Sequence, residues 1–235
     1  MERLFLLISA LVLLIAAARG AHASDEDPLQ DFCVALSAAE RQQIFGSPDP
    51  LAFNGVPCKA AATVESSDFV SQQLRAPANF SGKLGSAVNL ANAATFGALN
   101  TQGLSMARID YKPGGINPPH VHPRTTEVLY LAQGSLLVGF VSTAPANKLF
   151  YQTIHAGDLF VFPRGLVHFQ LNPDKSMPAL AIAALNGQNP GASQLAVALF
   201  ASNPALPEGV LEATLGLNVD SVEHLVASVR ATLMA

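Results

Sequence analysis

The chain is poor in charged residues. Only 13% of its 235 residues are charged, whereas 50% are hydrophobic. A surface with so little charge favours self-association, because an apolar patch that no other subunit covers tends to aggregate. The 13 basic residues are outnumbered by 17 acidic residues, and the net charge is −4. Nucleic-acid binding depends on a basic surface, so we predict no nucleic-acid partner.

Long hydrophobic runs are scarce, and the one near the N-terminus is short. Residues 4–18 form an apolar run of about 15 residues, whereas a helix that crosses a bilayer needs roughly 20, which disfavours a membrane anchor. Arg3 precedes the run, and Ala21-His22-Ala23 follows it with small residues where a signal peptidase reads the chain. We therefore predict that residues 1–23 are a signal peptide, that residues 24–235 are secreted, and that the protein has no membrane partner.

Cysteine is rare as well. Cys33 and Cys58 are the only two cysteines, and both lie near the predicted mature N-terminus. In an oxidising compartment such a pair favours a disulfide, although two buried free thiols are the alternative. Closing a loop of this length would stabilise the fold by about 3 kcal/mol in the chain-entropy treatment. No Cys-x-x-Cys pattern or neighbouring histidine accompanies the pair, which argues against a metal role.

The first part of the predicted mature chain has little regular periodicity. Gly, Pro, Asn and Ser recur over residues 24–100, and we predict irregular structure there. Asn79-Phe80-Ser81 is the only Asn-x-Ser/Thr sequon of the chain. In a secreted protein it is a candidate N-glycosylation site at Asn79, with an unused sequon as the alternative.

Residues 104–185 have a β pattern. Short apolar or alternating runs are punctuated by Gly and Pro, and no helical period intervenes, which predicts a sandwich or a barrel. The predicted strands cover residues 104–111, 127–131, 135–141, 158–162, 168–171 and 179–185.

The last 30 or so residues change to a helical period. Pro207 and Gly216 bracket a predicted helix, and Asp220 with Glu223 resembles a capping box at the start of a second one. An apolar stripe follows in this second helix, so we predict a C-terminal α-helical hairpin with one face covered. The stripe consists of Val222, Leu225, Val226, Val229 and Leu233.

Four residues between the predicted strands form a set of candidate metal ligands. His120 and His122 are two residues apart, so on an extended strand both imidazoles point to the same face. Glu127 begins the next apolar run, and His168 follows 41 residues later. Three imidazoles and one carboxylate suit a divalent first-row metal ion. The alternative is a cavity in which the histidines only form hydrogen bonds.

The spacing around these residues strengthens the metal hypothesis. Five residues separate Gly114 from His120, and six separate Glu127 from Gly134. In a second block, Gly157, Pro163 and Gly165 precede His168, and Asn172 follows it. The two blocks resemble both motifs of the cupins at every position. This resemblance implies one jelly-roll β-barrel domain, an all-β fold with the helical hairpin at its C-terminus, over residues 24–235.

Longer segments resemble the plant germin-like proteins within the cupins. They are residues 30–35 (Gln-Asp-Phe-Cys-Val-Ala), residues 113–124 around the first histidine pair, and residues 162–170 around His168. The resemblance covers essentially the whole mature chain. It implies Mn(II) held by His120, His122, Glu127 and His168, pairing of Cys33 with Cys58, and glycosylation. It also implies an apoplast location and a hexamer built as a trimer of dimers.

Two activities are associated with this family, oxalate oxidation and superoxide dismutation. In oxalate-oxidising germins, two asparagines that hold the substrate correspond to Ala107 and Asn117 here. Asn117 is present, but Ala107 offers no hydrogen-bond donor, and Phe160, Phe162 and Phe169 suggest an apolar pocket. We therefore expect Mn superoxide dismutase activity on a small anion rather than oxalate oxidase activity, with a role in plant defence.

A binding or structural role is the alternative function. Some germin-like proteins bind auxin, and a small carboxylate of this kind could occupy open positions on the metal. A cell-wall structural or defence protein without turnover is also compatible with the sequence.

Overall fold

A computed structural model describes residues 30–49, 55–80 and 83–233. The predicted signal peptide lies outside these residues. Within them, two five-stranded antiparallel sheets face each other, in the order β1-β2-β9-β4-β7 and β10-β3-β8-β5-β6. The first sheet is called sheet I below and the second sheet II. The strands are β1 (Ser86–Ala91), β2 (Ser105–Tyr111), β3 (Ile116–Val121), β4 (Glu127–Gln133), β5 (Ser135–Val141), β6 (Leu149–His155), β7 (Leu159–Phe162), β8 (Val167–Leu171), β9 (Ala179–Leu185) and β10 (Ser193–Gln194).

The two sheets form the predicted jelly-roll fold. Each predicted strand is present, with ends that differ by no more than two residues. Turns at Gly134 and Gly157, both with positive φ, carry the chain from one sheet to the other, from β4 to β5 and from β6 to β7. A Cβ atom at Gly134 would lie 2.8 Å from the carbonyl oxygen of Pro178, so only glycine fits this turn.

The core lies between the sheets and follows the alternation of the strands. In β9, the central strand of sheet I, alternate residues Ala179, Ala181 and Ala183 face inward and are almost completely buried. Small side chains on a central strand leave room in the barrel, and larger apolar residues of both sheets fill part of it. These larger residues include Ile109, Leu129, Leu131, Leu136, Val138 and Leu185.

The helices lie before and after the strands. They are α1 (Ala38–Phe45), α2 (Leu195–Phe200), α3 (Glu208–Leu215) and α4 (Val219–Leu233), with 3-10 turns at Ala61–Thr63, Ser66–Phe69 and Gly97–Leu99. None of the helices in the described residues is long and apolar enough to cross a membrane.

The predicted C-terminal hairpin is confirmed, with one correction. Pro207 and Gly216 bound α3 as predicted, and the predicted stripe of α4 is its most buried side. The expected capping box at Asp220 and Glu223 is wrong, because α4 begins two residues earlier. Asn218 caps it instead, since its Oδ1 accepts a hydrogen bond of 3.0 Å from the backbone N–H of Ser221. α4 packs against both α3 and α2.

The prediction of irregular structure over residues 24–100 is partly wrong. β1 pairs with β2 along its full length and thereby extends sheet I. The helix α1 carries a capping box between Ser37 and Glu40, which satisfies backbone N–H groups at its start. Both elements are short, and their apolar residues are too few to produce a visible period.

The predicted disulfide is present. Cys33 and Cys58 are bonded, with their Cα atoms 5.0 Å apart. Beside them Asn100 is fully buried, and its side chain donates to the carbonyl of Val56 (2.7 Å) and accepts from the N–H of Val56 (2.9 Å). The backbone N–H of Ala35 also donates to the carbonyl of Gly97 at 3.0 Å. The disulfide therefore closes the N-terminal segment on itself, and these hydrogen bonds tie that segment to the chain that leads into β2.

Replacing both cysteines by serine should lower the free energy of unfolding by about 3 kcal/mol, because the unfolded chain regains the entropy of an open loop. Denaturant unfolding of the wild type and of the double variant measures the difference. Reductant should shift the unfolding midpoint of the wild type and leave that of the variant unchanged. Equal midpoints for the oxidised wild type and the variant would contradict the prediction.

Candidate metal centre

The structure brings the four predicted ligands together at one end of the barrel. His120 on β3 lies directly opposite His168 on β8, within sheet II. Glu127 is the first residue of β4 and belongs to sheet I. His122 follows the end of β3 and points to the same side as His120, as the two-residue spacing predicts. The site therefore joins the two sheets.

The distances between the four side chains are short. The ring centroids of His120 and His168 are 4.1 Å apart, and His122 lies 5.1 Å from His120 and 5.2 Å from His168. The carboxylate Oε2 of Glu127 is 3.1 Å from Nε2 of His122 and 3.6 Å from Nε2 of His168. One potential ligand atom from each residue lies within 4.8 Å of the other three. Such a cluster can surround a single ion.

Backbone carbonyls determine how the rings are oriented. Nδ1 of His120 and Nδ1 of His168 each lie 2.8 Å from a carbonyl oxygen two residues earlier, at Pro118 and Leu166. Nδ1 of His122 contacts the carbonyl oxygen of Gly191. A carbonyl accepts only, so each Nδ1 carries a proton, and in the neutral ring the lone pair of each Nε2 is left for the cluster. This is the tautomer that a metal ion requires.

Burial and neighbouring charges set the protonation of the cluster. Burial, with a smaller contribution from the nearby His168, lowers the pKa of His120 to about 4, so His120 is neutral at neutral pH. Burial would raise the pKa of Glu127, but its contacts with His122 and His168 outweigh burial and lower that pKa to about 2. Burial also opposes protonation of His122, yet Glu127 and the Gly191 carbonyl raise its pKa.

These groups fit a divalent first-row cation. The donor set is three neutral imidazole nitrogens and one carboxylate, which carries a net charge of −1. Nε2 of His168 is buried and has no hydrogen-bond partner, a costly arrangement for a nitrogen that binds nothing. A His-His-Glu-His site typical of cupin metal binding is therefore present.

Asn117 faces the same interior as the histidines. On a regular strand residues 117 and 120 would point to opposite faces, but β3 contains a bulge between them. Asn117 pairs with Gln170 and His120 pairs with His168, and these two partners lie on one face of β8. The bulge therefore directs the Asn117 amide into the barrel, one row below the ligands.

Gln170 is an interior polar residue that the sequence prediction missed. It is completely buried, its Nε2 has no hydrogen-bond partner, and its Oε1 is 3.5 Å from the hydroxyl of Tyr111. Burial raises the pKa of Tyr111 well above its ordinary value, so the phenol remains protonated. The two-residue spacing from His168 was a signal for Gln170, because alternate residues of a strand share a face.

Ala107 lies on the interior face of sheet I, in the row next to Glu127. This row crosses the sheet in register and contains no polar side chain. Its members are Leu90, Ala107, Ala183, Leu129 and Phe160. Ala107 itself is only 4% exposed. Next to the cluster, sheet II therefore offers the amides of Asn117 and Gln170, whereas this row of sheet I offers only apolar side chains.

Aromatic rings complete the apolar side, with one difference from the prediction. The ring of Phe162 stacks on His168 at 4.6 Å, Phe160 lies 5.0 Å from Phe162, and Phe140 lies 6.2 Å from Phe160. Phe169 does not line the interior, because it alternates with His168 and Gln170 along β8. Its ring lies against Gly139 instead.

Known proteins with similar sequences and structures place the chain in a family. The Cupin family matches residues 72–223. Germin-like protein 12-2 of Oryza sativa subsp. japonica is 47% identical over 228 residues, covering 95% of this chain and 94% of that protein. Germin-like protein subfamily 2 member 2 of Arabidopsis thaliana is 45% identical over 224 residues, covering 95% of each chain.

A solved structure agrees with the fold and with the family. The structure of oxalate oxidase in complex with the substrate analogue glycolate superposes with a TM-score of 0.79 at 39% identity, covering 88% of this chain and 98% of that one. The sequence identity, the coverage and the shared jelly roll agree with each other, and the chain belongs to the germin-like proteins of the cupin family.

Proposed function

We propose that the protein is a secreted, manganese-binding germin-like protein that consumes superoxide. The observation that carries the proposal is the convergence of three Nε2 lone pairs and one carboxylate on a common point. His120, His122, Glu127 and His168 would hold the ion. The choice of manganese rests on the family resemblance. The ligands alone would bind copper or zinc more tightly, so metal supply decides which ion is loaded.

The charge of the site suits a small anion. Three neutral imidazoles, one carboxylate and a divalent ion carry a net charge of +1. Four protein ligands leave about two positions open on an ion that prefers six, and such an incomplete site is typical of catalytic metals. The amides of Asn117 and Gln170 face the same interior and can donate hydrogen bonds to an anion or to water beside the ion.

Dismutation needs few groups from the protein. A bound manganese ion supplies one-electron oxidation and reduction, so that two superoxide ions and two protons yield dioxygen and hydrogen peroxide. The chain holds the four ligands in a fixed arrangement, and Glu127 stays ionised because of its histidine contacts. Asn117 would orient water or superoxide. Gln170 is paired with Asn117 across the strands, and its amide lies next to the protonated hydroxyl of Tyr111.

The interior disfavours oxalate oxidation. The similar solved structure is an oxalate oxidase with glycolate, a small carboxylate, bound to it. In this chain Asn117 and Gln170 provide donors from sheet II, but the row of Ala107 provides none from sheet I. A second carboxylate that turned toward Ala107 would lose its hydrogen bonds to water without replacement, which costs free energy.

Binding of an apolar carboxylate without turnover is the second candidate function. The aromatic wall formed by Phe140, Phe160 and Phe162 favours it, since these rings continue from the His168 ligand. Auxin is a carboxylate of this kind, with its aromatic part suited to the wall and its charge to the ion. A cell-wall structural or defence role would need only the stable scaffold.

The location and modification of the protein follow from the proposed secretion. Residues 1–23 would be removed as a signal peptide, leaving the domain of residues 24–235 in the extracellular space or apoplast. Asn79 is exposed, which suits N-glycosylation, while Ser81 of its sequon lies outside the described residues. A role in plant defence accords with an extracellular source of hydrogen peroxide.

Self-association into a hexamer, a trimer of dimers, is part of the proposal. The outer face of sheet I carries a patch of exposed apolar side chains, formed by Met106, Val128, Tyr130, Leu159 and Val161. Large contiguous apolar patches are rare on monomers and mark contact surfaces. The patch would be covered by another copy of the chain, with the C-terminal helices available for further contacts.

Replacing Glu127 by Gln should reduce the manganese content from about one ion per chain to less than about a tenth, because the site loses its only negative ligand. Metal analysis of the protein purified from a secreting host measures the loss. His155→Gln provides the matched control, since His155 is exposed and lies outside the cluster. Normal loading of the Glu127 variant would refute the proposed ligand set.

The wild type should accelerate superoxide decay and release no hydrogen peroxide from oxalate. Both rates should be followed on one preparation of known metal content, with the Glu127→Gln variant as the inactive control. Peroxide release from oxalate at a substantial rate would overturn the argument from Ala107. If superoxide decay stays at the buffer rate in the loaded protein, the dismutase proposal fails and carboxylate binding becomes the leading function.

Replacing Val161 by Glu should break the assembly into smaller species, because burying an unpaired charge at an interface costs several kcal/mol. Light scattering coupled to size-exclusion chromatography measures the mass. Val70→Glu is the control, because Val70 is 65% exposed but lies outside the sheets. A wild-type protein that is monomeric at micromolar concentration would contradict the hexamer.

A further inference from the structure

The three histidines differ in what orients them. His120 and His168 contact carbonyls two residues earlier on their own chain segments. His122 instead contacts the carbonyl of Gly191, 69 residues later in the sequence. Its side chain is also the more exposed, 13% against 2% for His168. The orientation of His122 therefore depends on a distant loop, residues 186–191, between β9 and β10.

Arg124 holds this loop in place. Its Nε donates to the carbonyl of Asn189 at 2.7 Å, and its Nη2 donates to Oδ1 of the same residue at 3.0 Å. Gly191 lies directly on the guanidinium group, where an added Cβ atom would be 2.9 Å from Nη2. The planar guanidinium thus binds one residue through two donors and supports the loop up to the carbonyl that His122 contacts.

The same loop connects the barrel to the C-terminal helices. Oδ1 of Asn186 accepts from the backbone N–H of Thr126 at 2.8 Å, and β10 pairs with Val121 and His120. The helix α2 follows β10 directly and contacts both β3 and α4. The loop, β10 and α2 therefore connect α4 to the segment that carries His120 and His122.

We propose that Arg124 is a positioning residue for the metal centre. It fixes the loop of residues 186–191, and the Gly191 carbonyl then fixes the tautomer and the ring plane of His122. This inference rests on the proposed metal-binding function and deepens it. Outer hydrogen-bond partners of metal ligands typically change metal affinity by about 10- to 100-fold. Arg124 does not contact His122 itself but supports the loop that does. The loss of metal affinity on removing Arg124 should therefore lie near the lower end of that range.

The experiment compares three variants of the full mature chain with the wild type. Arg124→Gln removes the charge and the paired donors, and Arg124→Lys keeps the charge with a single donor group. Arg164→Gln is the matched control, because Arg164 is exposed at the same end of the barrel and makes no hydrogen bond or ion pair within residues 30–49, 55–80 and 83–233. Co(II) is the probe, since it accepts nitrogen and oxygen ligands and reports their geometry in its spectrum.

Competition titration with Co(II) should give an affinity about 10-fold weaker for Arg124→Gln. Arg124→Lys should be intermediate, and Arg164→Gln should stay within about twofold of the wild type. Proton NMR of the Co(II)-loaded protein gives a selective second measurement. The Nδ1 proton of His122 should exchange faster with solvent in Arg124→Gln, while those of His120 and His168 should not change.

A general loss of structure gives a different result. It would weaken the signals of all three histidines and lower the melting temperature of the metal-free protein. If Arg124→Gln does not fold, Asn189→Ala replaces it, because that variant removes only the acceptor of the Nη2 contact. The expected result for Asn189→Ala is a smaller loss of affinity with faster exchange at His122 alone.

Two outcomes would overturn the inference. A wild-type chain that takes up no Co(II) would refute the metal centre itself, and the positioning role would fall with it. If the wild type loads normally and Arg124→Gln matches it in affinity and in the exchange at His122, the positioning role alone is refuted.

Discussion

The register between β3 and β8 is the constraint on which the site depends. It places His120 opposite His168, and the bulge at residues 117–120 brings Asn117 to the same face, opposite Gln170. A slip of one residue would put the side chains of one strand on the opposite face from those of the other, and the two histidines would no longer meet. The two prolines in the bulge, Pro118 and Pro119, lack N–H groups that could pair with β8, which favours a single register. Strand pairing, rather than the side chains alone, thus establishes the geometry of the donor set.

Motif spacing was sufficient to predict the cluster of three histidines and Glu127 and most of the barrel. The cluster follows from rules that act over a few residues, such as the shared face of His120 and His122. The punctuation by Gly and Pro located the strands for the same reason. The disulfide was predicted from the two cysteines of a chain expected to be secreted, and the resemblance to germin-like proteins implied the same pair.

Features that depend on distant contacts could not be predicted from the sequence. β1 is short, and only its pairing with β2 makes it a strand. Asn218 rather than Asp220 caps α4, because both residue types suit a cap and packing of the helix decides between them. Phe169 lies close to the site in sequence, but its side chain is on the face of β8 that points away from the interior. The Gly191 carbonyl reaches His122 across 69 residues, a distance over which local patterns carry no information.

The placement of the ligands in both sheets has a mechanical consequence. Glu127 belongs to sheet I, whereas His120 and His168 belong to sheet II. An ion bound to all of them would cross-link the two sheets of the jelly roll. The small alanine side chains of β9 contribute little packing between the sheets, so such a link matters more. The binding energy of the ion then adds to the energy that keeps the sheets together, since a ligand that prefers the folded chain stabilises it. The melting temperature of the barrel would accordingly increase with the fraction of sites that hold a metal ion.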